Sequence, residues 1–110
     1  MELTKDVTQD DMTRYSGPGN IHSDVEVAKR TGLDATVAQG MMVLAYASEL
    51  LTAIHGAAWL EGGEIEVKFI GLVFAGDTIT VRATEGERGH EIEASNQDGD
   101  LVMVGRARLR

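Results

Sequence analysis

The longest apolar stretch of the chain, residues 35–60, limits the possible folds more than any other feature. It reads ATVAQGMMVLAYASELLTAIHGAAWL, and a membrane span needs about 20 consecutive apolar residues. No basic cluster flanks it, and five polar side chains interrupt it, namely Gln39, Ser48, Glu49, Thr52 and His55. We therefore predict a buried helix of a protein that does not enter the membrane, from about Val37 to Trp59 and ending at the glycine pair 62–63.

After this helix the hydrophobic period changes from about 3.6 residues to about 2, as expected for strands. Four segments are typical strands, namely EIEVKF, TITVRA, HEIEAS and LVMVGRARL, and the segments at 86–89 and 98–99 are typical hairpin turns. An antiparallel sheet with one buried face needs an apolar cover, and the long helix is large enough to provide it. We predict one α+β domain, residues 1–110, in which the sheet wraps around one central helix.

Two short helices are predicted before the apolar stretch. Thr8 and Asp11 have the spacing of a capping box and predict a helix over about 9–15. Ser23 is the predicted N-cap of a second helix, in DVEVAKRTG, which Gly32 ends. The loop SGPGNIHSD between them has two glycines, but no buried strand precedes it and the lysine of a phosphate-binding loop is missing. From its residues alone the loop is a turn that leads into a capped helix.

Composition excludes several classes of function. The chain has no cysteine, which excludes disulfides, thiolate metal ligands and a cysteine nucleophile. A net charge of −8 argues against nucleic acid and anionic membranes as partners. The three histidines lie far apart without a carboxylate cluster, so we predict no metal site and no cofactor. The polar N-terminus MELTKDVTQDD lacks the apolar core of a signal peptide, and we expect a cytoplasmic protein.

Three segments in order resemble the hydratase motif of the MaoC-like family, which includes the (R)-specific enoyl-CoA hydratases. They are YSGPGNIHSDVEVAKRTG, VAQGMM and VKFIGLVFAGDTITV. The family pattern is roughly S-G-D-x-N-P-I-H-x-D, a short helix, a Gly-Met pair that opens a central helix, and a later GDT. The resemblance implies a hot-dog fold, the architecture that the periodicity predicts independently. It also implies a homodimer or larger homo-oligomer, in which the sheets of two subunits join and the acyl site forms where they meet.

The activity that this resemblance implies is that of a lyase of fatty acid metabolism, an acyl-thioester hydratase or dehydratase. Its substrate would be an acyl-CoA or an acyl-carrier thioester, and the reaction interconverts 2-enoyl-CoA and 3-hydroxyacyl-CoA. His22 matches the catalytic acid/base, and Gly40 matches the glycine whose N–H binds the thioester oxygen. Asn20 matches the motif asparagine, Ser48 a polar active-site position, and Asp24 the aspartate after the histidine, for which we expect a structural role. The remaining predicted substrate contacts are Pro18, Gln39 and Met41, and Gln39 stands where the hydratases often have histidine.

One position departs from the family pattern. The family's catalytic aspartate follows Ser-Gly, and here Pro18 stands in its place, while counting back from His22 without a gap gives Gly17. Neither residue ionises, so the carboxylate that shares proton transfer with the histidine is missing. Two alternatives follow. One is a hot-dog thioesterase with Glu49 or Asp24 as its carboxylate, and the other is a non-catalytic acyl-CoA-binding subunit.

Overall fold

The structure is a computed structural model that describes residues 1–110. Its five strands form one antiparallel sheet in the order β1-β3-β4-β5-β2. The elements in chain order are β1 (Glu2–Asp6), α1 (Gln9–Ser16), α2 (Val25–Arg30), α3 (Gly40–His55), α4 (Ala57–Gly62), β2 (Gly63–Phe69), β3 (Thr78–Gly86), β4 (Gly89–Ser95) and β5 (Leu101–Leu109).

The core lies between α3 and one face of the sheet. Alternate residues of β3 are buried, among them Ile79 and Val81, and so are Ile92 and Ala94 of β4. The helix contributes Met42, Val43, Tyr46, Ala47, Leu50 and Leu51 to the same cluster. The predicted α+β architecture, an antiparallel sheet packed around one central helix, is therefore confirmed.

The central helix is shorter than the apolar stretch that predicts it. It ends at His55 because Gly56 adopts φ 65° and ψ −147°, a conformation that residues other than glycine rarely adopt. Because of this break, the prediction of one helix as far as Trp59 is wrong. The apolar pattern continues into the separate helix α4, where Trp59 is buried. At the other end, Val37 pairs with Phe74 as an isolated bridge and does not begin the helix. No helix combines the length and apolarity that a bilayer crossing requires.

The N-terminal part of the chain holds a strand that the sequence did not predict. β1 pairs with β3 at the edge of the sheet, and its exposed residues alternate with residues that are only partly buried. The predicted cap of α1 is confirmed, since Thr8 Oγ1 accepts from the N–H of Asp11 at 3.1 Å. The predicted cap of α2 is wrong. Asp24, not Ser23, accepts the first helical N–H groups, and the Ser23 hydroxyl is hydrogen bonded to Asn20 instead.

Candidate active site

His22 is held at three of its atoms. Its N–H donates to Asn20 Oδ1 at 2.9 Å, and its carbonyl accepts from Gln9 Nε2 at 2.9 Å. Its ring Nδ1 lies 2.7 Å from the carbonyl oxygen of Val37. Because a carbonyl oxygen only accepts, Nδ1 carries the proton and Nε2 of the neutral ring keeps a free lone pair. The half-buried imidazole is thus oriented as a base or, once protonated, as an acid.

Asn20 shapes the loop that carries His22. Its Nδ2 donates to the carbonyls of Ser16 and Gly17 at 2.9 and 3.3 Å. Its Oδ1 accepts from the N–H of His22 and the hydroxyl of Ser23. Both amide protons and both oxygen lone pairs are therefore used inside the loop, as is common for asparagine in turns. In the structure, the Asn20 side chain thus links the residues of the His22 loop, and its catalytic assignment stays a prediction.

A short segment, residues 36–38, connects the His22 loop with the start of α3. On one side, Val37 N–H donates to the carbonyl of Ile21 at 3.1 Å, and the Thr36 hydroxyl donates to Gln9 Oε1. On the other side, the N–H of Ala38 donates to the carbonyl of Val73 at 2.7 Å. The segment is thus fixed on both flanks and leads directly through Gln39 to Gly40. His22 and Gly40 are brought into one region by it.

Gly40 is the first residue of α3, and its N–H makes no hydrogen bond within the chain. The first N–H groups of a helix have no acceptor inside the helix, and Gln39, the N-cap residue, supplies no side-chain bond. The helix dipole adds positive potential at this end. Gly40 N–H is therefore free to donate to an oxygen that gains negative charge. Met41, the next residue, is 52% exposed.

Ser48 lies in a different polar cluster. Its hydroxyl accepts from Trp59 Nε1 at 3.1 Å, and the Trp59 ring stacks on His55 with centroids 6.5 Å apart. His55 Nε2 in turn lies 3.0 Å from His90 Nε2. No hydrogen bond joins this cluster to His22 or to Gly40. The structure does not bring Ser48 into contact with the other predicted catalytic residues, because its hydroxyl is turned towards α4.

The carboxylates considered for a thioesterase are both engaged elsewhere. Glu49 pairs with Lys5 of β1 at 3.1 Å, and its side chain is 52% exposed. Asp24 caps α2 by accepting from the N–H groups of Glu26 and Val27. Pro18, for which the motif comparison predicts the place of the family's aspartate, is an exposed loop residue. No acidic side chain is hydrogen bonded to His22.

Two residues that the sequence did not single out complete this geometry. Gln9 connects α1 to the His22 carbonyl and to Thr36. No sequence motif predicts these hydrogen bonds of a glutamine. Phe69 follows Ile65 and Val67 at the two-residue spacing of one strand face, yet it is 46% exposed. A Cβ built on Gly40 would lie 3.2 Å from three atoms of the Phe69 ring. The site thus consists of a clamped imidazole, the free N–H of Gly40 and an aromatic ring on the side where a Gly40 Cβ would lie.

The model of the MaoC like domain family matches residues 1–102. The chain belongs to this family. Among solved structures, it is similar to the R-hydratase PhaJ1 from Pseudomonas aeruginosa, with 24% identity and a TM-score of 0.82 over 97% of this chain and 76% of that one. It is also similar to the (R)-hydratase from A. caviae involved in PHA biosynthesis, with 21% identity and a TM-score of 0.79 over 100% and 93% of the two chains.

A third similar structure is the HadBC (3R-hydroxyacyl-ACP dehydratase) complex from Mycobacterium tuberculosis. The identity is 19% and the TM-score 0.70, over 96% of this chain and 88% of that one. No curated protein matches the sequence significantly. The family match and the similar structures show that the chain has the hot-dog fold, which the resemblance of its motif segments implies.

Proposed function

We propose that this MaoC-like protein is a hydratase or dehydratase of acyl thioesters that interconverts 2-enoyl and 3-hydroxyacyl thioesters. The observation that carries the proposal is the Nδ1–H of His22 donated to the carbonyl of Val37, three residues before the free N–H of Gly40, which leaves Nε2 without a partner. The similar structures include (R)-hydratases and a 3R-hydroxyacyl-ACP dehydratase, which supports the same class of substrate. CoA and acyl-carrier thioesters both satisfy this chemistry.

In the hydration direction His22 acts as a single acid/base. Nε2 accepts a proton from water while the water oxygen bonds to the β-carbon of the enoyl group. The electron pair of the double bond moves towards the thioester oxygen, where the Gly40 N–H and the positive end of α3 stabilise the developing enolate. The protonated imidazole then returns its proton to the α-carbon. Water is added, and His22 ends neutral, so the step needs no second ionisable residue at Pro18.

The test replaces His22 by asparagine and follows the loss of enoyl absorbance with crotonyl-CoA. The asparagine Nδ2 occupies the place of the imidazole Nδ1, so His22→Asn retains a donor to the Val37 carbonyl but removes Nε2. We expect turnover to fall by roughly 10²-fold or more, with little change in the thermal midpoint. His90→Asn is the matched control and should keep its turnover, since His90 contacts His55 and not His22. Full turnover by His22→Asn would contradict the assigned role.

A second candidate, a non-catalytic acyl-thioester-binding subunit, is favoured by one observation, the presence of Pro18 and Gly17 where the family has an aspartate. The same assay distinguishes the candidates. Loss of enoyl absorbance marks a hydratase, and binding of crotonyl-CoA without any reaction marks the binding subunit. Release of free thiol would mark a thioesterase with Glu49, which pairs with Lys5, or Asp24, which caps α2, as its carboxylate.

A further inference from the structure

We infer that Phe69 determines which thioesters reach the Gly40 N–H, by restricting the space beside it to acyl groups without a substituent on the α-carbon. This inference rests on the proposed function. Its starting point is the contact between the end of the Phe69 ring and Gly40. A Cβ on Gly40 would meet Cε1, Cε2 and Cζ of the ring at 3.2 Å each. Such a distance is shorter than an ordinary carbon–carbon contact of about 3.5–4.0 Å.

The need for glycine at position 40 therefore comes from the ring and not from the backbone. Gly40 lies in an ordinary helical conformation, unlike Gly56, whose φ is 65°. An alanine would suit the helix backbone and would be favoured by propensity. What it would lack is room, because the ring occupies the space that its methyl group needs. Gly40 and Phe69 thus form one packed unit at the entrance of α3.

The position of the ring is set by the sheet. Phe69 is the last residue of β2 and pairs with Met103 of β5, which is fully buried. The next two N–H groups, of Ile70 and Gly71, both donate to the carbonyl of Val102. The backbone on both sides of Phe69 is therefore hydrogen bonded to β5, and only two side-chain torsions remain free. Only rotation about these two side-chain torsions would move the ring away from Gly40.

The chemistry of a bound thioester brings its α-carbon to this ring. A carbonyl oxygen that accepts from Gly40 N–H lies about 2.9 Å from the nitrogen. In the complex that we infer, the atoms bonded to the carbonyl carbon, sulfur and the α-carbon, lie beside the Phe69 ring, because the ring packs over the same residue that donates the N–H. A flat apolar ring accommodates a thioester sulfur and an unsubstituted α-carbon. A methyl group on the α-carbon would require the ring to move, as a Cβ on Gly40 would.

The experiment compares crotonyl-CoA with tiglyl-CoA, which differs by one methyl group on the α-carbon. The wild-type protein should prefer crotonyl-CoA. Phe69→Ala should raise the ratio of kcat/KM for tiglyl-CoA to that for crotonyl-CoA by at least about 10-fold, the usual effect of one methyl group in a tight pocket. Phe69→Leu, which disturbs the fold less, should give an intermediate ratio. Leu60→Ala, at an apolar residue that is 74% exposed on α4, should leave the ratio unchanged.

A double-mutant cycle adds a test of the contact itself. Gly40→Ala alone should lower crotonyl-CoA turnover, and addition of Phe69→Ala should restore part of it, since the methyl group then has space. If the wild-type protein hydrates crotonyl-CoA but Phe69→Ala and Phe69→Leu leave the ratio unchanged, the inference about Phe69 alone is overturned. If the wild-type protein hydrates neither thioester, the proposed function fails and the inference fails with it.

Discussion

At the scale of single residues, His22 shows how a loop without regular structure positions a reactive group. Its N–H, carbonyl and ring each have a partner in a different part of the chain, namely Asn20, Gln9 and Val37. The orientation of the ring therefore depends on α1 and on the segment before α3 as well as on the loop. In the mechanism that we propose, Pro18 stands where the family motif has an aspartate, and the imidazole alone would serve as base and acid in turn.

Tyr46 is the residue whose ionisation the fold changes most clearly. It is 7% exposed, and its hydroxyl makes no hydrogen bond. Burial raises the pKa of the Tyr46 hydroxyl above its ordinary value of 10.0, and the negative charges of Asp11 and Glu49 raise it further. The folded state thus holds this proton more tightly than the unfolded state. The associated stability is complete below the ordinary pKa of tyrosine and is lost as the pH rises into the alkaline range.

We therefore predict that Tyr46→Phe keeps or increases the free energy of unfolding at neutral pH, by about 1 kcal/mol at most, because it removes a buried polar atom without a partner. The ring contact with Lys5 Nζ, 5.7 Å from the ring centroid, remains in the variant. Urea unfolding at neutral pH measures the first effect. Repeating it between about pH 9 and 11 should show a smaller loss of stability in Tyr46→Phe than in the wild type. A clear destabilisation at neutral pH would show that the hydroxyl has a partner.

At the scale of elements, the break between α3 and α4 brings the indole N–H of Trp59 to the hydroxyl of Ser48. Gly56 reverses the chain after His55, and α4 folds back so that Trp59 donates to Ser48. The same reversal allows Gly63 to begin β2 in close contact with Trp59. An uninterrupted helix would carry Trp59 past Ser48 and would leave that hydroxyl free. The helix break at Gly56 thus explains why the Ser48 hydroxyl accepts a hydrogen bond from Trp59.

Gly56→Ala should lower the free energy of unfolding by about 1–3 kcal/mol, since its backbone lies in a region that alanine seldom adopts. Open space surrounds the position, so any loss would come from backbone strain and not from a steric clash with neighbours. Gly62→Ala is the matched control. Its Cβ would meet only the Arg110 carbonyl at 3.8 Å, an ordinary contact, and its φ is not positive. Equal unfolding midpoints for the two variants in urea would refute the strain argument.

At the scale of the whole molecule, the two edges of the sheet differ. The outer edge strand β1 carries Glu2, Lys5 and Asp6, and charges of this kind discourage further pairing. At the other edge, β2 ends in a group of exposed apolar side chains, Phe69, Ile70 and Leu72, and Leu101 of β5 is exposed as well. The backbone after β2 is hydrogen bonded to Val102, so these residues lie near one end of the sheet.

We predict that a second copy of the chain covers this apolar group and that the protein is a homodimer or a larger homo-oligomer in solution. Leu72→Glu places a charge within the group and should shift the protein towards monomer at micromolar concentration, as measured by sedimentation equilibrium. Leu60→Glu introduces the same charge on α4, before β2 begins, and should leave the association unchanged. A wild-type protein that sediments only as a monomer would contradict the prediction.

The strands β2 to β5, their hairpins and the existence of a core helix follow from the sequence because burial imposes a period on side chains. The strand in TITVRA and the two-residue turn between Gly86 and Gly89 can be predicted from the local sequence alone. The motif around His22 and Gly40 likewise pointed to the two groups that one short segment brings together. These are features that a few neighbouring residues specify.

The tertiary structure alone decided the features that depend on residues far apart in the chain. β1 exists because β3 offers a pairing edge, and polar side chains at an edge leave no hydrophobic period by which to recognise it. The partners of His22 lie 13 and 15 residues away, at Gln9 and Val37, and only the folded chain shows that its ring nitrogen is clamped. Phe69 alternates like a core residue, yet the end of β2 places its ring against Gly40, because packing and not periodicity determines which side chain occupies the entrance of a helix.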